Sequence, residues 1–250
     1  MSESSYHLKN LYKLSELVAV VTGGGTGIGL MQVYITGRRK DVLEGIANSG
    51  TIKGEDFALQ MDVTMKASIL EVKKVIEQKE GKLHILVNNA GQAGLMSLWF
   101  NDLTSPQQKD AEALGQALFS ELEEEWVDVF AINDQPGYTS SVINITSISA
   151  ITKLAQQHFA YNTSKSAASH LTKMLATEFA LKDIPVRVNA IAPGPEDVDA
   201  TGSGILLVPA RGAGIGEEMA GTAVYLASPS GRYATGQEIV IDGGYLAVNP

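Results

Sequence analysis

The sequence contains no cysteine, which excludes disulfides, thiolate nucleophiles and cysteine-based metal sites. The absence fits a reducing compartment. Long apolar runs are missing as well. The longest, such as Leu17–Val21, are strand-sized, whereas a bilayer-spanning helix needs about 20 apolar residues. Met1 to Leu14 is polar and mixed in charge, so no signal peptide is read there. Basic residues are in deficit: 19 Lys and Arg stand against 28 Asp and Glu, for a net charge of −9. An acidic surface disfavours nucleic acid and anionic membrane as partners. It still permits a phosphate-bearing cofactor, because backbone amides bind phosphate locally. The 4 histidines lack metal-ligand spacing, so no catalytic metal is expected. No Pro- or Ser-rich linker, internal repeat or low-complexity tract divides the chain. With 44% hydrophobic and 19% charged residues, a large core is affordable. The expectation is a cytoplasmic protein forming one domain over residues 1–250.

What is present is an alternation of short β-rich runs with longer helical patterns. Strands are expected at Leu17–Val21, Val33–Thr36, Phe57–Val63, His84–Asn88, Ser141–Thr146, Val186–Ala192 and Glu238–Ile241. Pro193-Gly194-Pro195 is expected to break the sixth of these. Met65–Gly81 reads as an amphipathic helix with Ile69, Val72, Val75 and Ile76 on one face. Leu114–Asn133, Phe159–Leu181 and Glu217–Ala227 read as further helices. Such alternation predicts an α/β fold, a Rossmann-type doubly wound parallel sheet with helices on both faces.

Directly after the first strand comes Thr22-Gly23-Gly24-Gly25-Thr26-Gly27-Ile28-Gly29. Glycines let a backbone turn tightly and approach a pyrophosphate without a Cβ clash, and free amides at a helix start donate to its oxygens. A glycine-rich stretch alone is a weak signal, and its position after a strand strengthens it. Further along stand Asn88-Asn89-Ala90-Gly91, Asn144-Ile145-Thr146-Ser147, Tyr161-Asn162-Thr163-Ser164-Lys165, Pro193-Gly194 and Ile241-Asp242-Gly243-Gly244. Taken in order, these segments resemble the TGxxxGxG, NNAG, serine, YxxxK and PG motifs of the short-chain dehydrogenase/reductase family. They cover nearly the whole chain. Among subgroups the match is most similar to 3-oxoacyl-thioester reductase-like members.

The resemblance implies a catalytic set of Asn133, Ser147, Tyr161 and Lys165. Tyr161 and Lys165 are four apart on an expected helix and share a face. A phenol with pKa near 10 is a poor base at neutral pH, and a nearby ammonium favours its phenolate. Among the 8 tyrosines only Tyr161 has a lysine four residues on. Ser147 would hydrogen-bond the substrate oxygen as charge develops there. The family also gives Lys165 a grip on the nicotinamide ribose and Asn133 a water in the proton relay. Taken singly, Ser147 reads as a strand-end turn residue, Asn133 as a helix cap and His158 as a loop histidine.

For the cofactor, the resemblance implies contacts from Thr22, Gly23, Gly25, Thr26, Gly27, Ile28, Gly29, Asn89, Ala90, Gly91, Tyr161, Lys165, Pro193 and Gly194, with Asp62 and Val63 at the adenine. After the second strand the acid that would accept a ribose 2′-hydroxyl is missing, and Arg38 and Arg39 stand in its place. Arginine accommodates a 2′-phosphate, so NADP(H) is expected over NAD(H). The alternative is that the two arginines only face water. Leu95, Met96, Leu98, Trp99 and Phe100 hint at an apolar substrate, or at ordinary packing under a loop.

Three segments are short for the family. Only Leu30, Met31 and Gln32 separate Gly29 from Val33, although a parallel crossover normally takes a dozen or more residues. Asp134-Gln135-Pro136-Gly137 breaks the helix after Asn133. Glu196–Gly216, where the family carries a substrate lid, is short and glycine-rich. A homodimer or homotetramer is the family expectation, and the break after Asn133 weakens it. The expected activity is interconversion of a ketone and a secondary alcohol. A shortened dinucleotide-binding or scaffold protein without turnover, and a chain unable to fold, stay open as alternatives.

Overall fold

The computed structural model describes residues 11–14, 17–23, 32–48, 58–90, 140–153, 158–194 and 208–249. Seven parallel strands form one sheet: β1 (Val18–Thr22), β2 (Gln32–Gly37), β3 (Ala58–Gln60), β4 (Ile85–Asn88), β5 (Ser140–Ile145), β6 (Val186–Pro193) and β7 (Glu238–Ile241). Their order is β3-β2-β1-β4-β5-β6-β7. Helices α1 (Lys40–Asn48), α2 (Lys66–Glu80), α3 (Phe159–Leu181), α4 (Gly216–Ala227) and α5 (Tyr245–Val248) accompany it, with short 3₁₀ turns at Ile148–Ala150 and Pro229–Gly231.

Both faces of the sheet are covered, so central strands are apolar throughout rather than alternating. All five residues of β1 are buried. Ala19 and Val21 join Val33, Ile35, Ile85, Val87, Ile143 and Ile191 beneath α1 and α4, which supply Leu43, Ala223, Leu226 and Ala227. Val18 and Val20 turn to the other face and pack with Tyr34, Leu86 and the α2 residues Val72 and Ile76. Ile69 lies against the same cluster, so most of the expected apolar stripe of α2 meets the core. Farther along that face, α3 brings Ala176 onto Val142 and Val188. Each fully buried aliphatic side chain contributes about 1.5–3 kcal/mol.

Helix ends follow local chemistry. α2 stops at Gly81, whose φ of 66° lies in the left-handed region and whose N–H donates to Glu77 O at 3.0 Å. At the start of α4 the Glu218 carboxylate accepts from Ile215 N at 3.0 Å, which satisfies a backbone donor ahead of the first turn.

Several boundaries differ from expectation, and the strand expected over Phe57–Val63 is only Ala58–Gln60. β6 runs through Pro193 instead of breaking before it, with Pro193 in register with Ile241. The missing proline donor falls at the last position, and Gly194 N resumes the ladder by donating to Ile241 O at 2.8 Å. β2 begins at Gln32, which pairs with Val18. The return from β1 to β2 is therefore left to residues 23–31. The expected helix at Leu114–Asn133 lies outside the described residues.

Candidate active site

In a parallel sheet every strand delivers its carboxyl end to the same edge. The order reverses between β1 and β4, and ligands of open α/β sheets bind in the crevice at such a point. Thr22 and Gly23 end β1 there, and Asn88, Asn89 and Ala90 end β4. Thr22 Oγ1 accepts from Asn89 N at 3.1 Å and Ala90 N at 3.0 Å, and lies 3.4 Å from Val87 O. Asn89 Nδ2 donates to Gly23 O at 3.3 Å. Gly23 has φ of 64°, and a Cβ there would sit 2.6 Å from Ala90 Cα. Glycine is thus demanded twice, by conformation and by the neighbouring strand end. Gly25, Thr26, Gly27, Ile28, Gly29, Gly91 and Asn133 lie outside the described residues, as do Leu95 to Phe100.

At the end of β2, Arg38 and Arg39 are exposed. Arg38 O accepts from Gln60 Nε2 at 2.9 Å, which ties the β2 and β3 ends together. Asp62 and Val63 follow β3. Asp62 Oδ1 accepts from Thr64 N at 2.9 Å and Thr64 Oγ1 at 2.7 Å. Those two hydrogen bonds, helped by the Arg38 charge, hold its carboxyl below the usual value of 3.8. An exposed guanidinium pair beside the switch point, and no acid at the β2 end, is a donor set that fits a phosphorylated dinucleotide.

Beyond β4 the edge carries the candidate reacting groups. Asn88 Nδ2 donates to Asn144 Oδ1 at 2.8 Å, and Asn144 Nδ2 donates to Thr172 Oγ1 at 2.9 Å. This relay links the β4 end to α3 through β5. Thr146 N donates to Ile191 O at 2.8 Å and brings β5 to Ser147, which is buried and extended. Ser147 Oγ accepts from Ser149 N at 3.1 Å, which leaves its O–H proton as the group it can offer. Tyr161 and Lys165 lie on the first two turns of α3. Lys165 Nζ stands 5.6 Å from the Tyr161 ring centroid and donates to Ile145 O at 2.7 Å. Burial pushes the Lys165 ammonium below its usual 10.5. The His158 ring meets Tyr161 edge-on, 6.4 Å between centroids.

At the far side, Pro193 and Gly194 close β6. A Cβ on Gly194 would sit 2.7 Å from Asp242 Cα, so the β6 and β7 ends also pass in contact. The Asp242 carboxylate accepts from Gly244 N and Leu246 N, both at 2.8 Å. Among the described residues Thr22, Gly23, Asn89, Ala90, Ser147, Pro193 and Gly194 share one edge, and Tyr161 and Lys165 face it from α3. One residue that reaches toward this edge from the start of β7 carries no sequence signal. Glu238 accepts from Thr146 and Ser169, and no motif marks it.

A doubly wound parallel sheet with this edge defines a Rossmann-type dinucleotide-binding protein. Comparison with known proteins narrows the class. The family described as enoyl-(acyl carrier protein) reductase matches residues 25–246. The short-chain dehydrogenase/reductase PhomF′ of Diaporthe leptostromiformis is 32% identical, over 96% of this chain and 95% of its own. The NADP-dependent (R)-specific alcohol dehydrogenase of Lentilactobacillus kefiri is 32% identical, over 94% of this chain and 98% of its own. The solved Pseudomonas aeruginosa RhlG/NADP active-site complex superposes with a TM-score of 0.73 at 27% identity, covering 94% of this chain and 98% of that one. The chain belongs to the short-chain dehydrogenase/reductase family, oxidoreductases of carbonyl and alcohol groups. The match to PhomF′ leaves gaps in this chain. The PhomF′ alignment runs over 288 positions, whereas 96% of 250 residues is 240. About 48 aligned positions are therefore empty in this chain.

Proposed function

We propose that the protein is an NADP(H)-dependent reductase, working as a single domain, that interconverts a ketone and a secondary alcohol. Carbonyls of 3-oxoacyl type or of secondary metabolism are the favoured class. The observation that carries this reading is that Lys165, one turn after Tyr161 on α3, donates to Ile145 O, two residues before Ser147. NADPH, when bound, supplies the hydride. The protein's residues do the rest. The Ser147 O–H donates to the substrate oxygen as negative charge grows on it. Tyr161 gives that oxygen its proton. The ammonium of Lys165, poorly solvated, stabilises the phenolate left behind. Lys165 spends one of its three N–H donors on Ile145 O, and the other two suit ribose hydroxyls. Asn133 would hold the water that returns the proton. Thr22 to Gly29 and Asn89 to Gly91 would hold the pyrophosphate and nicotinamide side, and Arg38 and Arg39 the 2′-phosphate.

The test is calorimetric titration of the purified chain with NADPH and NADH, followed by a ketone panel read by loss of NADPH absorbance. Tighter binding of NADPH and turnover of at least one 3-oxo compound is the expected result. The missing 48 aligned positions favour a second reading, a dinucleotide-binding homologue without turnover. Binding with no turnover across the panel would decide for it. A homodimer or homotetramer belongs to the first reading, and light scattering on the eluted protein measures it.

A further inference from the structure

Glu238 opens β7, and the chemistry above makes no use of it. Its carboxylate accepts from hydroxyls on two other elements. Thr146 Oγ1 donates to Oε1 at 2.7 Å, and Ser169 Oγ donates to Oε2 at 2.6 Å. Such lengths are those of charge-assisted O–H···O⁻ bonds. Thr146 Oγ1 also lies 3.0 Å from Ile191 O. A hydroxyl has one proton to give, and Ile191 O already receives Thr146 N–H. An ionised Glu238 can therefore take the hydroxyl proton without leaving that carbonyl unpaired. Thr146 and Ser169 are both buried, so neither hydroxyl has water as a ready substitute.

The positions of the two donors matter more than their number. Thr146 immediately precedes Ser147. Ser169 follows Lys165 by one helical turn and Tyr161 by two, on the same face of α3. We infer that Glu238 is a positioning residue: it clamps the strand end that carries Ser147 to the helix that carries Tyr161 and Lys165. This role rests on the reductase reading above. Three other ties join α3 to this strand end: Asn144 Nδ2 to Thr172 Oγ1, Lys165 Nζ to Ile145 O and Ser166 Oγ to Ala150 O at 3.0 Å. None of those reaches β7. Glu238 links three elements, and it braces the pair from β7. The carboxylate sets the spacing between a donor to the substrate oxygen and the acid that protonates it. A misplacement of about 1 Å in such a spacing can cost about 10²-fold in rate.

The experiment compares the full chain with Glu238→Gln, Ser169→Ala and the double variant, by kcat, KM for NADPH and melting temperature. Gln keeps the shape of Glu and one acceptor, so the fold is retained. It presents an amide N–H₂ where a hydroxyl donated, and that reverses one arm of the clamp. Glu238→Gln is expected to lower kcat about tenfold with KM for NADPH and melting temperature unchanged. The double variant is expected to be no worse than Glu238→Gln, because Ser169 acts through the carboxylate. Amide hydrogen exchange is expected to rise together in Ser147–Ile151 and in the first turns of α3. Unchanged kcat, a loss confined to melting temperature, or losses that multiply would overturn the inference. A parent chain that reduces no ketone while binding NADPH sinks the reductase reading instead. An active parent with an indifferent Glu238→Gln variant sinks the clamp alone.

Discussion

The two flanks of the sheet are built to different standards. From β5 to β6 the chain crosses by way of α3, a helix of 23 residues, and β5 pairs with β6 along its whole length. From β1 to β2 it returns within residues 23–31, fewer than the dozen or more that a helical crossover takes. The flank with the candidate reacting groups is full-sized, and the flank with the phosphate loop is short. Motif letters are present on both, from Thr22-Gly23 to Tyr161 and Lys165. A motif and the scaffold that presents it can therefore part company. The backbone cradle for a phosphate depends on a helix start, whereas a Tyr–Lys pair depends only on its own helix.

Five substitutions break or sharpen that contrast. The largest effect is expected on the full-sized flank: Tyr161→Phe lowers kcat by about 10²–10⁴-fold, the range of a general acid, with NADPH affinity unchanged by calorimetry. On the short flank, Arg38→Ala raises the Kd of NADPH by about tenfold or more, the size of a lost charge-assisted bond, and leaves NADH where it was. Equal weakening of both dinucleotides would mean that Arg38 serves the strand end and not the 2′-phosphate. Gly23→Ala meets the Ala90 backbone at 2.6 Å with φ at 64°. It should cost about 1–3 kcal/mol in urea unfolding, while Gly81→Ala, with open space around it, costs only its left-handed φ. The smallest effect belongs to Asp62→Asn. The Asp62 carboxyl is held below 3.8 in the folded protein by Thr64. Its contribution is therefore present above the unfolded pKa and lost as pH falls through the lower, folded one. A small drop in melting temperature near pH 7 that vanishes in stronger acid is expected from thermal scans across pH.

Legibility in the sequence followed the range of the forces involved. Phe159–Leu181 was readable to its ends because helical periodicity is local. So was Glu238–Ile241, four residues between turn signals. α1 escapes a sequence reading because it is only nine residues long and carries Gly45 inside it. Pro193 reads as a breaker because a proline in isolation says nothing of a Gly194 N–H one residue later that resumes the ladder. Buried polar partners were the least legible. His84, 1% exposed, accepts from Val18 N through Nδ1 at 2.9 Å, and it lies 66 residues from that donor. Glu238 reads as one more strand residue until Thr146 and Ser169, 92 and 69 residues away, are folded onto it. The motif-bearing positions were visible because the resemblance pointed to them, and the groups that hold them in place carry no such label.

The short helix α5 packs on the segment that follows Ser147. Tyr245 is buried with Val208 against Ile148, the residue directly after Ser147, and Asp242 fastens the turn that leads to it. The turn that follows Ser147 is thus packed on the short helix behind the last strand. An affinity tag fused closely after Tyr245, or a trim that removes residues 245–250, is expected to loosen the turn that follows Ser147. Its signature would be a drop in turnover well ahead of any loss of the sheet.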